Sequence, residues 1–138
     1  MEKKDISVEQ TIKSISEKIE STSEKIRTLL PKVNDIIRDT ETLLREKGLL
    51  VPVKIKVAER HHLFFGNHKD KSKCINGWGI YLVEESRCID YADSYTHLCL
   101  APAHKRIEFV GKIEALVDAI VEETKRIADK ADSAIKLL

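Results

Sequence analysis

Residues 43–57, Leu-Leu-Arg-Glu-Lys-Gly-Leu-Leu-Val-Pro-Val-Lys-Ile-Lys-Val, hold the change of period that decides the fold. Before Gly48 the apolar residues recur every three or four positions, the spacing of one helix face. After Pro52 they alternate, with Val53, Ile55 and Val57 set against Lys54 and Lys56, the spacing of a half-buried strand. Gly48 follows Arg45 and Lys47 and stands where a helix stops, because glycine takes the left-handed conformation that closes the last turn without a Cβ clash.

Upstream of this switch, residues 6–47 read as one long helix. Val8, Ile12, Ile15, Ile19, Thr22, Ile26, Leu29, Val33, Ile36, Thr40 and Leu43 follow an alternating 4,3 step, which is a coiled-coil-like heptad seam. Ser7 and Gln10 have capping-box spacing at its start. Pro31 removes one helical hydrogen bond. Ile26, Leu29, Val33 and Ile36 keep their phase across it, so the expectation is a kink at Pro31 and not a break.

Downstream, residues 51–100 form a β region. Leu63–Phe65 extends the first strand or begins another after a bulge. Residues 67–73 form a polar loop, 77–83 a second strand, 87–91 a third and 95–100 a fourth. The short connections favour an antiparallel meander. Residues 103–138 read as a closing helix with Val110, Ile113, Val117, Ile120, Thr124, Ile127, Ala131 and Ala134 on one stripe. The expected fold is therefore α+β: a single domain over 1–138, with two long antiparallel helices flanking a three- or four-stranded antiparallel meander.

The chain has 138 residues, 24 Lys plus Arg against 23 Asp plus Glu, and a net charge of +1. No segment is a polybasic arm, which argues against an overall basic body of the kind that wraps DNA. With 42% hydrophobic and 34% charged residues it is too apolar for a disordered chain. The longest apolar run, Gly48–Val53, falls far short of the ~20 residues that span a bilayer. No apolar stretch follows the first residues, so no secretory signal is visible and a cytoplasmic, reduced setting is expected, with no membrane partner. One Gln, one Met and sixteen Ile resemble thermophile usage.

All three Cys and all five His lie between His61 and His104. They supply ligand types for one zinc, and His61, His97 and Cys99 form the candidate metal set, His97 and Cys99 sharing a strand face. No Cys-x-x-Cys or His-x-x-x-His pair supports it, and the simpler reading has Cys88 and Cys99 as small buried strand residues and the histidines at the surface or strand edges. Asp90 or Asp93 with His61 or His97 would supply acid–base chemistry, but no nucleophile elbow, phosphate loop or metalloprotease motif is present. No cofactor is therefore expected beyond that zinc. Lys54, Lys56 and Arg60 on the first strand, Lys69, Lys71 and Lys73 in the loop, and Trp78 among nearby aromatics form a candidate nucleic-acid surface. The plainer reading of these lysines is protection of an edge strand.

The element order of helix, β hairpins and helix in about 140 residues resembles the layout of prefoldin α-type subunits, although 51–100 carries no matching motif and Pro31 interrupts the first arm. The leading expectation rests on the seam. A row of β-branched and Leu residues this long has to be covered by the C-terminal helix, by another copy, or by both. The protein is read as an interaction or assembly protein, a homo-oligomer through Ile12, Ile15, Ile19, Ile26, Leu29, Val33 and Ile36, with the β region as recognition surface. A nucleic-acid module on the Lys/aromatic sheet is the alternative, and a metal or enzymatic site in the Cys/His region the next.

Overall fold

The computed structural model describes residues 2–68 and 77–138. Among them the chain forms three α-helices and one four-stranded antiparallel sheet, an α+β fold. Lys69, Lys71, Lys73 and Cys74 lie outside the described residues. The elements are α1 (Glu2–Glu46), β1 (Val53–Ala58), β2 (His61–Asn67), β3 (Trp78–Glu84), β4 (Ser94–His97), a 3₁₀ turn (Leu98–Leu100), α2 (Ala103–Val110) and α3 (Ile113–Lys136). Packing divides the chain into two units, Met1–Lys32 and Val33–Leu138.

The first unit is the leading part of α1. The helix begins at Glu2, ahead of the expected start, and the Ser7 carbonyl accepts a hydrogen bond from Thr11 Oγ1 at 2.7 Å. Ser7 is thus inside the helix and its capping-box spacing with Gln10 is not used as a cap. Pro31 lies within α1 at an exposed position, where water can satisfy the Arg27 carbonyl that has lost its N–H partner.

In the second unit α1 ends as the sequence predicts. Gly48 has φ +75°, its N–H donates to the Arg45 carbonyl, and the Leu49 N–H donates to the Leu44 carbonyl. This is a Schellman closure, with Leu49 packed against the core beside Leu44. The chain then enters a meander in the order β1-β2-β3-β4. A bulge between Lys56 and Ala58 and a tight turn with Arg60 at φ +63° separate β1 from β2, so Leu63–Phe65 belongs to a new strand. The expected strand at 87–91 is absent. The Ser86 N–H donates to Asp93 Oδ1 at 3.0 Å, and the Ser86 hydroxyl bonds both the Cys88 N–H and the Cys88 carbonyl. These local bonds hold the segment as turns, the alternative that short polar side chains offer the backbone. Cys88 and Cys99 are both exposed, not buried in strands. The closing helix is also divided: α2 stops at Gly111 and Lys112, and α3 resumes at Ile113.

Register sorts the sheet residues onto two faces, since cross-strand partners share a side. Val53, Ile55, Leu63, Phe65, Ile80 and Leu82 face the core, where they meet Phe109, Ile113, Leu116 and Ile120 of α2 and α3 and Val33, Ile37 and Leu44 of α1. Lys54, Lys56, His62, Phe64, Tyr81, Tyr95 and His97 share the opposite face. From Lys125 onward α3 is exposed, Ile127 and Ile135 included.

Candidate functional site

Two surfaces stand out. The first is the seam of α1. Val8, Ile12, Ile15, Ile19, Ile26 and Leu29 are all exposed, with Ile12 61% and Ile19 63% accessible. Scattered exposed apolar residues need no explanation, but six on one helical stripe form a contiguous patch of the kind that marks an interaction site. Ile36 and Leu43, the next seam members, are exposed as well. Val33 differs from its expected place on the interface: it is 5% accessible and belongs to the core.

From Val33 onward the buried face of α1 is Val33, Ile37, Glu41 and Leu44, rotated from the seam. The sheet explains the rotation. β4 is short and pairs with β3 only from Tyr81 to Glu84, so the start of β3 presents an open edge. α1 covers it: Glu41 Oε2 accepts the Ile80 N–H at 3.0 Å and Arg45 Nη1 donates to the Trp78 carbonyl at 2.9 Å. Covering an edge in this way removes unpaired backbone groups that would otherwise recruit another strand. Glu41 is the single buried charged residue among the described ones. Burial holds its carboxyl above the ordinary glutamate range, against the opposing pull of the Ile80 N–H and the Arg45 charge. Its carboxylate lies directly on Gly79, where any side chain would collide with it.

The second surface is the outer face of the sheet. Tyr81 is buried there, its hydroxyl donating to the Gly77 carbonyl at 2.9 Å. Around it the Phe64 ring centroid lies at 6.1 Å, His97 at 4.2 Å and Tyr95 at 6.5 Å. His68 stacks on Tyr95 at 4.2 Å with the planes 4° apart. Lys54 Nζ stands 5.9 Å over the Tyr95 ring. Lys56 is exposed on the same side.

The structure gathers only part of the predicted sites. Lys54 and Lys56 lie with the aromatics, but Trp78 is on the core face, 5.5 Å from Phe65, and Arg60 sits in the β1–β2 turn with its carbonyl bound by the Glu85 N–H. His61 faces the core side, 5.4 Å from Phe109 and 4.0 Å from Glu84, whose carboxylate also binds Lys105. His97 is on the other face and Cys99 is in the exposed 3₁₀ turn, so His61, His97 and Cys99 are not brought together. Among the described residues no group of three His, Cys, Asp or Glu side chains is placed to hold a metal ion. Asp90 is exposed and Asp93 is engaged in the turn with Ser86. Sequence reasoning missed Glu41, whose role depends on a strand edge far away in the chain. Its one signal is an acidic residue on the helix face shared with Val33, Ile37 and Leu44.

No family model, curated protein or solved structure matches the chain. No helix among the described residues is long and apolar enough to cross a membrane.

Proposed function

We propose that the protein is an assembly module that joins copies of itself through the seam of α1 and carries the sheet as a recognition surface. The observation behind this reading is the uncovered row Val8, Ile12, Ile15, Ile19, Ile26 and Leu29 at 4,3 spacing, with Thr22 in the one position that is not apolar. Each of these side chains gains roughly 1.5–3 kcal/mol when fully removed from water, so a two-copy seam favours association strongly. Ile12, Ile19 and Ile26 occupy one core position of the heptad and Val8, Ile15 and Leu29 the other, a pattern that suits parallel coils of few strands.

Charge supports a second copy in parallel. Lys18, Lys25 and Lys32 each stand one position before a core residue and form a single-sign row along one flank. Antiparallel copies set that row against itself, whereas parallel copies set it against Glu9, Ser16, Ser23 and Leu30 on the opposite flank and avoid the repulsion. Sedimentation equilibrium on the full chain tests the proposal. The expected result is a dimer or small oligomer at micromolar concentration that dissociates when Ile12 and Ile19 are changed to Asn. A monomer at high micromolar concentration, or an oligomer indifferent to those changes, overturns it.

A further inference from the structure

The outer face of the sheet has a construction that self-association does not use. Gly66 and Gly79 are cross-strand partners on this face, so two neighbouring positions lack side chains. The Phe64 ring lies over Gly66 where a Cβ would stand, and the place of a Cβ on Gly79 is taken by the Glu41 carboxylate, with His97 Cε1 beside it at 3.1 Å. Aromatic rings that would otherwise project from the sheet are laid down on it. They surround the buried Tyr81, with His68 stacked on one face of Tyr95, so that the half-buried rings of Phe64, Tyr95 and His97 make the accessible floor.

Charge borders that floor. Lys54 and Lys56 project from the same face of β1, both exposed, and the Lys54 ammonium already stands over the Tyr95 ring. Of the carboxylates around this face, Glu41 is buried and engaged with Ile80, Glu85 is 3.5 Å from His62 at the far end of β2, and Glu122 and Glu123 share a groove with Lys54, Glu123 being held there by Arg126. Flat π-faces next to exposed cations match a chain of planar bases on a phosphate backbone. Aromatic faces stack any base, and lysines follow the phosphates without reading sequence. A duplex offers its bases only edge-on in the grooves, so a floor of this kind selects unpaired strands. An acidic peptide would satisfy the lysines and leave the rings unused.

We infer that the outer face of the sheet, with the half-buried rings of Phe64, Tyr95 and His97 as floor over the buried Tyr81 and with Lys54 and Lys56 as border, is a stacking platform for single-stranded nucleic acid. The inference stands apart from self-association, because the platform is complete within one copy.

Fluorescence anisotropy with the full chain and a labelled oligothymidylate or oligouridylate of about 20 nucleotides tests it. Binding should weaken with salt at a log–log slope of about −1.4, as two neutralised phosphates on a single strand require. Lys54→Glu with Lys56→Glu should weaken binding at least tenfold, and Tyr95→Ala by roughly tenfold. Both lysines are exposed, so the double variant should keep its circular-dichroism melt, and Tyr95→Phe should restore binding if stacking is the cause. The inference is overturned by absence of binding at 100-fold lower salt than cells hold, by affinity unchanged in the lysine variant, by a duplex of the same sequence bound as tightly as the single strand, or by polyglutamate competing as well as the oligonucleotide.

Discussion

Between Val8 and Leu29 the apolar seam of α1 is bare, whereas between Val33 and Leu44 the same helix turns a neighbouring face into a core. Both stretches carry the same seven-residue pattern. In the second, the open start of β3 selects which face is buried, because Ile80 N–H and the Trp78 carbonyl need partners and only the Ile37–Glu41–Arg45 side of the helix supplies them. Ile36 and Leu43 stay exposed as a result. A heptad pattern thus shows where a helix is sticky. What it sticks to depends on hydrogen-bonding demands elsewhere.

Substitutions can break this contrast. Ile37→Ala leaves a cavity at a fully buried site and should cost about 2–5 kcal/mol in urea unfolding, while Ile19→Ala should leave the unfolding of dilute protein nearly unchanged and act on association alone. Equal effects from the two would mean that the stretches are not different in kind. Glu41→Ala orphans the Ile80 N–H and should cost about 1–3 kcal/mol.

Glu41→Gln sharpens the same point through pH. The carboxyl of Glu41 is raised above its ordinary value of 4.5, chiefly by burial, so the folded state binds its proton more tightly than the unfolded chain does. Its contribution is then full below pH 4.5 and is lost as pH rises through the raised value. The amide keeps an acceptor for Ile80 and cannot ionise. Thermal unfolding of Glu41→Gln should therefore lack the loss that the native chain shows from pH 4.5 upward. Parallel profiles for the two chains would contradict the assigned cause. The smallest expected effect is at Gly48, where φ +75° costs an L-residue about 1 kcal/mol, so Gly48→Ala should lower stability by that amount without touching association.

The same physics explains what was legible in the sequence. The helix-to-strand switch was readable because its signals are local: Gly48 closes a helix by its own conformation, and β1 alternates because only one of its faces is covered. β2 was half-legible. Phe65 is buried in the core and Phe64 lies on Gly66, so both faces carry aromatics and the alternation is lost. The segment 87–91 looked like a strand because Cys88, Ile89 and Tyr91 are β-formers, but the Ser86 and Asp93 bonds hold it in turns and leave Ile89 and Tyr91 exposed. Strand period alone puts Lys54 and Lys56 on one face of β1, the face they share with Phe64 and His62. Trp78 could not be placed in this way, since its face depends on register with Asn67. Glu41 was invisible because its partner is 39 positions away.

Disulfide trapping at Val8 tests the seam most directly. In a chain with its native cysteines changed to serine, Val8→Cys places one thiol on the α1 seam, and parallel copies bring two such thiols face to face. Mild oxidation should convert most of the protein to a disulfide-linked dimer, and the same cysteine at exposed Glu17, off the seam, should not cross-link. Failure of Val8→Cys to cross-link, or equal cross-linking from Glu17→Cys, would contradict self-association through α1.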